Sequence, residues 1–301
     1  MKCAVTGGSG FIGSHLVDAL AAAGHEVTIL DYRARPHRKD LRYKDTDIVD
    51  FSSVLNATKG CNVLYHLAAV SNVNYAFEQP LYTVQTNLTG TANILEAARH
   101  NGIQRVFFAS TVWVYTGSKG ELMTEESPFY MPGAGHVYTS TKIGAELLLH
   151  DYWKLYQVPF TILRYGIPYG PRMREEMVIP IFIRKALRGE PLTVAGDGKQ
   201  YRNFIFIDDL IQAHLLALSE NGKNETFNLE GEEEVSVLQI AETIRSILGN
   251  QVEIRFGPAR PGDYKGKTVS NQKAKTVLGW KPQVSFLEGM RKSLDWFRSV
   301  P

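Results

Sequence analysis

Tyr138 and Lys142, in the stretch Y-T-S-T-K at 138–142, have side-chain types and a spacing that suit acid–base catalysis. If the segment is helical, the two side chains lie one turn apart on the same face. A tyrosine with an ordinary pKa near 10 is only about 0.1% phenolate at neutral pH, which is too little for a working base. A lysine ammonium one turn away favours the phenolate. Because many surface helices carry Tyr and Lys at this spacing, the prediction depends on the rest of the chain.

The start of the chain has the pattern of a dinucleotide-binding unit. A short apolar strand runs into Gly7, Gly10 and Gly13, and a helical pattern at 14–23 follows. Such glycines allow a tight turn, close approach of the backbone to a pyrophosphate and close packing of helix on strand. Asp31 ends the next strand, where a carboxylate binds both ribose hydroxyls and repels a 2′-phosphate. The pattern therefore predicts NAD as the cofactor.

Strand-like and helical segments alternate along the first half of the chain. The strand-like runs lie at 2–6, 27–31, 63–67, 105–110 and 160–164, and helical patterns separate them at 14–23, 81–100 and 138–156. This alternation is typical of a doubly wound parallel sheet, the α/β arrangement known as the Rossmann fold. Further along, we predict helices at 178–188, 236–248 and 284–299, strands at 225–229 and 252–256, and a strand followed by a helix within 203–219.

The pattern changes after Arg164 to a loop rich in proline, glycine and charge. We therefore predict an NAD-binding Rossmann domain over 1–165, to which 200–220 return. The segments 166–199 and 221–301 are predicted to form mainly a smaller C-terminal α/β domain that binds substrate. A chain of 301 residues with 44% hydrophobic content has enough apolar side chains for two such domains.

The composition argues against several classes of partner. A net charge of +2 without a block of Lys and Arg argues against nucleic acid. No apolar run reaches the roughly 18 residues of a membrane span, and the chain begins with strand residues rather than a secretory leader. Cys3 and Cys61 give no disulfide framework, and no cluster has metal-ligand spacing. We therefore expect a cytoplasmic protein that binds no metal, nucleic acid or membrane.

Ordered motifs over nearly the whole chain resemble those of one family. The matching segments are T-G-G-S-G-F-I-G at 6–13, D-I at 47–48, H-L-A-A at 66–69, N-L-T-G-T-A-N-I-L-E-A-A at 87–98, S-T-V-W-V-Y at 110–115, L-R-Y-G-I-P-Y-G-P-R at 163–172, G-D-G-K-Q-Y-R-N-F-I-F-I-D-D-L at 196–210 and R-P-G-D at 260–263. With these segments the chain resembles the extended short-chain dehydrogenase/reductases, specifically the nucleotide-sugar epimerase/dehydratase group.

The resemblance implies a catalytic triad of Thr111, Tyr138 and Lys142. Tyr138 would take the proton of a sugar hydroxyl while C4 of the sugar gives a hydride to the nicotinamide. Thr111 would hydrogen-bond the same oxygen, and Lys142 would lower the pKa of Tyr138 and bind the nicotinamide ribose. The implied cofactor contacts come from Gly7, Gly10, Phe11, Ile12, Gly13, Asp31, Tyr32, Arg33, Asp47, Ile48, Leu67, Ala68, Ala69, Asn87, Tyr138, Lys142 and Tyr165. The implied contacts to a nucleotide-diphosphate sugar come from Ser71, Thr111, Tyr138, Ile167, Met177, Val178, Thr193, Arg202, Arg260 and Asp263, with Arg202 and Arg260 on the diphosphate.

The residues after Thr111 narrow the reaction. Family members that remove water carry Asp–Glu directly after the threonine, and the decarboxylases carry Glu at the second of these places. Val112 and Trp113 stand here, and neither transfers protons. The resemblance therefore implies NAD-dependent epimerisation of a nucleotide sugar at C4 through a transient 4-keto intermediate. A nucleotide-4-keto-sugar reductase and a non-catalytic NAD(H)-binding regulator stay open as alternatives.

The predicted substrate site departs from the family pattern. Ile167 and Met177 stand where the family usually has a substrate-binding Asn, and Ala195 replaces an aromatic that commonly covers the base. The nucleotide is therefore held differently or is not a uridine nucleotide.

A homodimer is also implied, because the helices around 81–100 and 138–156 pair into a dimer interface in many relatives. The second of these helices carries more apolar surface than one buried face needs, at Leu147, Leu148, Tyr152 and Leu155.

Asp31 decides the choice between NAD and NADP in this interpretation. The unmodified protein should bind NAD much more tightly than NADP, because the carboxylate and a 2′-phosphate would place two negative charges in one partly buried site. Asp31→Ala should narrow the difference in affinity. Calorimetric titration with both cofactors checks this, and equal affinities for the unmodified protein would contradict the assignment.

Overall fold

The computed structural model of this protein describes residues 1–32, 34–258 and 268–300. The strands are β1 (Lys2–Thr6), β2 (Glu26–Asp31), β3 (Arg42–Asp45), β4 (Val63–His66), β5 (Arg105–Thr111), β6 (Leu122–Met123), β7 (Phe160–Tyr165), β8 (Ile167–Tyr169), β9 (Leu192–Ala195), β10 (Tyr201–Phe206), β11 (Glu225–Leu229), β12 (Glu234–Ser236), β13 (Ile254–Gly257) and β14 (Thr268–Val269). The helices are α1 (Phe11–Ala22), α2 (Phe51–Ala57), α3 (Val73–Glu78), α4 (Pro80–Val84), α5 (Gly90–Asn101), α6 (Val137–Tyr156), α7 (Val178–Leu187), α8 (Ile207–Leu216), α9 (Val237–Ile247), α10 (Gln272–Leu278) and α11 (Phe286–Ser299). Within the described ranges, every helix is too short or too polar to cross a bilayer.

Seven strands form one sheet in the order β11-β7-β5-β4-β1-β2-β3. Every neighbouring pair in it is parallel. The residues of β5 and β7 are buried along the full length of both strands. The residues of parallel strands are buried without interruption when crossover helices cover both faces of the sheet. The sheet confirms the predicted doubly wound α/β fold and adds β3 and β11 to the five strands expected in it.

The chain divides into two compact units. The first comprises Met1–Tyr165, Ile211–Leu229 and Val269–Trp280, and it contains the seven-stranded sheet. The second comprises Gly166–Leu210, Glu230–Thr268 and Lys281–Pro301. In the second unit β10 pairs with β8 and β12, and β9 pairs with β13. Its aromatic cluster consists of Tyr169, Phe204, Phe206 and Phe286.

Three assignments made from the sequence differ from this division. The sequence assigns the strand within 200–220 to the NAD-binding domain, but β10 pairs with β8 of the second unit. It assigns 225–229 to the second domain, but β11 pairs in parallel with β7 at the edge of the large sheet. Residues 269–280, which include the fully buried Trp280, also belong to the first unit. Periodicity indicates which side chains are buried and not which strand lies beside them, so it cannot make this choice.

The helix predicted at 81–100 is interrupted by a π-helical turn, Gln85–Thr89, between α4 and α5. Such turns occur frequently at functional sites. This one contains the buried Asn87, whose Oδ1 accepts a hydrogen bond from the Val70 N–H at 2.7 Å. Its Nδ2 donates to the Val70 carbonyl at 3.0 Å and to Thr141 Oγ1 at 3.1 Å. Asn87 therefore connects the loop after β4 to α6.

The turn between β1 and α1 is packed too tightly for side chains at two of its glycines. Gly7 has a φ of +67°, and its N–H donates to the Leu30 carbonyl at 2.9 Å. A Cβ on Gly7 would lie 2.8 Å from the Ala68 backbone nitrogen. A Cβ on Gly13 would overlap the Gly7 carbonyl oxygen. Glycine is therefore required for the turn to meet both α1 and the loop after β4.

Gly13→Ala should lower the free energy of unfolding by about 2 kcal/mol, because the new methyl group must displace backbone rather than a flexible side chain. Gly144→Ala in α6 is the matched control, since its Cβ would lie 3.2 Å from a Leu88 methyl group and alanine has the better helix propensity. Denaturant unfolding of both variants checks this. Equal stability of the two variants would show that the turn relaxes without cost.

Candidate functional site

The helix α6 carries Tyr138 in its first turn and Lys142 one turn later. Lys142 is 4% exposed, and its Nζ donates a hydrogen bond to the Ala109 carbonyl of β5 at 2.7 Å. The same nitrogen lies 4.7 Å from the Phe108 ring centroid and 5.9 Å from the Tyr138 ring centroid. The ammonium is therefore held between the β5 backbone and the tyrosine that the sequence predicts it activates.

Burial controls the charge of Lys142. It lowers the pKa of the ammonium to about 7, and the Glu146 carboxylate acts in the opposite direction. Loss of water penalises the charged form, while a nearby negative charge favours it. When Lys142 is charged, it favours the phenolate form of Tyr138, and the low local dielectric strengthens this interaction. The charged form of Lys142 is therefore close enough to Tyr138 to stabilise a phenolate there.

Thr111 is the last residue of β5 and precedes a 3₁₀ turn, Val112–Tyr115. Its Oγ1 accepts a hydrogen bond from the Trp113 N–H at 3.2 Å, and a hydroxyl in this position still has its own proton to donate. The carboxyl ends of parallel strands are where doubly wound folds bind their ligands. Tyr165 ends the neighbouring β7 in register with Thr111, and its hydroxyl is hydrogen-bonded to His214 Nε2 at 2.6 Å.

An aromatic row borders Tyr138. His136 caps the N-terminus of α6, because its Nδ1 accepts a hydrogen bond from the Thr139 N–H at 3.3 Å. The His136 ring centroid lies 5.0 Å from that of Trp113 and 6.1 Å from that of Tyr138. Burial lowers the pKa of His136, which favours the neutral ring that the cap requires. Histidine is not among the common cap residues, so the sequence contained no signal for this role.

The β1–α1 turn and Asp31 form a cradle that fits a dinucleotide. Gly10 precedes α1 and has no side chain to cap the first-turn N–H groups, which include those of Phe11 and Ile12. A helix N-terminus of this kind attracts a phosphate. Asp31 ends β2, and its Oδ2 accepts a hydrogen bond from the Ser9 N–H at 3.1 Å. The carboxylate is thereby attached to the glycine turn, a placement that suits the ribose contact predicted for it.

The loop after β4 is held against the same turn by buried polar side chains. Thr6 Oγ1 accepts hydrogen bonds from the N–H groups of Leu67 and Ala68, both at 3.2 Å. Ala69 follows in the same loop, and Asn87 binds the next residue through the contacts described above. These residues shape the predicted cofactor site through the backbone.

The outer part of the predicted cofactor site has three further residues. Asp47 Oδ1 accepts a hydrogen bond from the Val49 N–H at 2.9 Å. Ile48 packs against α5, where a Cβ on Gly90 would lie 2.7 Å from the Ile48 Cδ1. The hydroxyls of Tyr32 and Tyr82 are 2.7 Å apart, which links the end of β2 to α4.

The predicted substrate residues are divided between the two units. Ser71, Thr111 and Tyr138 lie in the first unit. In the second, Ile167 begins β8, Met177 and Val178 start α7, Thr193 lies in β9 and Arg202 lies in β10. Arg33, Arg260 and Asp263 lie outside the described residues, so their contacts stay predictions. In the ranges 1–32, 34–258 and 268–300, no group of three His, Cys, Asp or Glu side chains is placed to hold a metal ion.

Glu146 is a buried residue of this region that the sequence did not indicate. It lies one turn after Lys142 on α6 and is 1% exposed. An acid one turn from a lysine is an ordinary pattern of exposed helices, so the spacing alone carries little information. Its burial beside Arg164 is visible only in the tertiary structure.

Several known proteins are similar to this chain over nearly its whole length. Residues 3–229 match the model described as "NAD dependent epimerase/dehydratase family". The UDP-N-acetyl-alpha-D-glucosaminuronate decarboxylase of Bacillus cytotoxicus is 34% identical, over 99% of this chain and 98% of that protein. The UDP-glucose 4-epimerase of Mycolicibacterium smegmatis is 32% identical, over 99% of both. The crystal structure of UDP-glucuronic acid 4-epimerase from Bacillus cereus, in complex with UDP-glucuronic acid and NAD, is 31% identical with a TM-score of 0.90 over 100% of both chains.

Proposed function

Because this chain belongs to the NAD-dependent epimerase/dehydratase family, we propose that it epimerises a nucleotide sugar at C4 with bound NAD. The observation that supports this most is the placement of Tyr138 and Lys142 on α6, with Lys142 bonded to the β5 backbone two residues before Thr111. This arrangement supplies one base, one supporting charge and one hydrogen-bond donor for a single reacting oxygen.

Each of the three side chains has one task in the proposed reaction. Tyr138 takes the proton of the C4 hydroxyl and returns a proton to the same oxygen after the 4-keto sugar has turned. Thr111 donates a hydrogen bond to that oxygen and holds it in line. Lys142 favours the Tyr138 phenolate through its charge. NAD, when bound between the glycine turn and Asp31, supplies the acceptor and donor of the hydride.

The residues after Thr111 support epimerisation over the dehydration and decarboxylation that other members of the family catalyse. One similar protein is a decarboxylase, so similarity alone does not decide the reaction. Val112 and Trp113 offer no group that transfers a proton, and the Trp113 ring packs beside His136, whose Nδ1 is engaged as a helix cap. The site therefore favours reversible oxidation at one carbon, which needs no second acid or base.

UDP-sugars are the first substrates to test, because the similar proteins are named for them. Ile167 and Met177 offer no amide to a ligand, and Ala195 offers no aromatic ring to stack on a base. The substrate panel should therefore include nucleotide sugars with several bases.

The protein loaded with NAD should interconvert C4 epimers of a nucleotide sugar with no net formation of NADH. Tyr138→Phe removes the base, so turnover should fall by about 10²–10⁴-fold while the substrate still binds. Epimer-resolving chromatography measures turnover, and calorimetry measures binding. Tyr152→Phe is the matched control on the same helix; its hydroxyl contacts Glu96 at 3.2 Å, and it should keep the turnover of the unmodified protein.

Two results would contradict the proposed reaction. Consumption of one reduced cofactor for each 4-keto sugar converted would identify a reductase. Absence of turnover with every nucleotide sugar, in a protein that binds NAD, would show that the substrate class is wrong.

We also propose that the protein is a homodimer, formed through an apolar surface on α3, α4 and α6. Its exposed members are Phe77, Leu81, Val84, Leu147 and Leu155. Leu148 and Tyr152, which the sequence also suggests for this surface, are instead partly buried against the core of the first unit. A second copy of the chain would present the same surface, so a two-fold axis would cover both at once.

Leu155→Glu should convert the dimer into a monomer, because a carboxylate would be buried in the apolar interface. Leu155 is 65% exposed and Phe256 of the second unit is 60% exposed, so Phe256→Glu is a matched control that should leave the dimer intact. Light scattering at several concentrations measures the mass. A monomer mass for the unmodified protein at every concentration would refute the dimer.

A further inference from the structure

The proposed reaction does not use Glu146, although this carboxylate is buried and fully engaged. Arg164 approaches it with two nitrogens: Nε lies 3.0 Å from Oε1 and Nη2 lies 2.6 Å from Oε2. The Ser110 hydroxyl donates to Oε1 at 2.5 Å. A buried ion pair is weak evidence for stability, since an apolar pair of similar volume often stabilises a protein as well. This ion pair therefore calls for a role beyond stability.

Contacts on its other side hold Arg164 in one orientation. Its Nη1 donates to the Tyr115 hydroxyl at 2.5 Å, and its guanidinium carbon lies 5.1 Å from the Tyr115 ring centroid. The Tyr115 hydroxyl in turn donates to Asn228 Oδ1 at 2.8 Å. A guanidinium fixed in this way fixes the carboxylate that it binds.

Two successive turns of α6 thereby hold two successive residues of β5. Lys142 Nζ binds the Ala109 carbonyl, and Glu146 accepts the Ser110 hydroxyl. Thr111 is the next residue of the strand, and Tyr138 is one turn before Lys142 on the helix. These two contacts therefore control the position of Thr111 relative to Tyr138.

We propose that Glu146 is a positioning residue for the Thr111–Tyr138–Lys142 site. It attaches the helix that carries Tyr138 to the strand end that carries Thr111, and it places a negative charge one turn from the buried Lys142 ammonium. The inference rests on the proposed function, since it assigns Glu146 a part in the same site.

The charges around Lys142 determine how Glu146 acts on it. Glu146 favours the charged form of Lys142 and opposes the effect of burial on its pKa. His66 of β4 also faces Lys142, but burial lowers its pKa to about 3, so it is neutral at working pH. Tyr165 of β7 interacts with Tyr138, and burial raises its pKa well above the ordinary value, so it is neutral as well. β5 contributes the Phe108 ring and the Ala109 carbonyl.

Replacing Glu146 and replacing Arg164 should therefore shift the ionisation of Lys142 and Tyr138 in opposite directions. Glu146→Gln leaves the positive charge of Arg164 uncompensated, so Lys142 loses its proton at lower pH and Tyr138 ionises at higher pH. Arg164→Met leaves the negative charge uncompensated, so Lys142 stays charged to higher pH and Tyr138 ionises at lower pH. Glu146 lies about 12 Å along the helix from Tyr138, so its effect through Lys142 exceeds its direct effect on the phenol.

The experiment is a pH titration of tyrosinate absorbance in the NAD-loaded protein. Subtracting the curve of the matching Tyr138→Phe variant isolates the ionisation of Tyr138. We expect Glu146→Gln to raise the pH of this ionisation by about one unit and Arg164→Met to lower it. Glu96→Gln, which removes a partly exposed acid of α5, is the control and should leave the ionisation of Tyr138 unchanged.

The direction in which each variant shifts the ionisation of Tyr138 tests the proposed role of Glu146. Shifts of opposite sign support it, whereas no shift, or shifts of the same sign with a loss of thermal stability, would reduce Glu146 to a structural role and overturn it. If one variant does not fold, the sign found for the other decides. The titration needs no substrate, so it separates failure of this inference from failure of the proposed function, which appears as absence of turnover in the unmodified protein.

Discussion

The burial of the Lys142 ammonium is the constraint on which the rest of the site depends. A buried charge costs free energy unless polar or oppositely charged groups pair with it. Here the Ala109 carbonyl accepts a hydrogen bond from Nζ, the Phe108 ring lies beside it, and Glu146 supplies the opposite charge. All of these groups belong to α6 or to the end of β5. The helix and the strand must therefore keep fixed relative positions, and the proposed site of Thr111 and Tyr138 depends on those positions.

Buried polar groups have a similar effect on the cofactor cradle. His66 lies between Thr6 and Thr91, with its Nδ1 2.9 Å from Thr6 Oγ1 and its Nε2 3.1 Å from Thr91 Oγ1. Because burial lowers the pKa of His66 to about 3, this chain of hydrogen bonds keeps its form through the physiological range. Thr6 also binds the loop after β4, and Asn87 of the π-helical turn connects that loop to α6. Hydrogen bonds within the protein therefore fix the shape of the cradle.

Local features of the site were predictable because their physical causes are local. Each of these features is made of residues that lie a few positions apart in the sequence. They are the glycines of one turn, an acid at a strand end, and a tyrosine one helical turn before a lysine. The structure accordingly has Gly7 and Gly13 in a turn without room for a Cβ, and Asp31 at the end of β2. It also has Tyr138 and Lys142 on one face of α6. The His136 cap and the π-helical turn at Gln85–Thr89 have no comparable signature, since their sequences also suit ordinary loops and helices.

The sequence by itself determined the doubly wound fold, the dinucleotide cradle and the Tyr–Lys pair, because periodicity and short spacings express burial and local geometry. Only the tertiary structure decided that β11 joins the large sheet and β10 the small one, since strand neighbours are chosen by packing between distant segments. It alone also brought Glu146 to Arg164 and Ser110. An ion pair between a helix and a strand depends on where two elements meet, and residue spacing along the chain carries no information about that meeting.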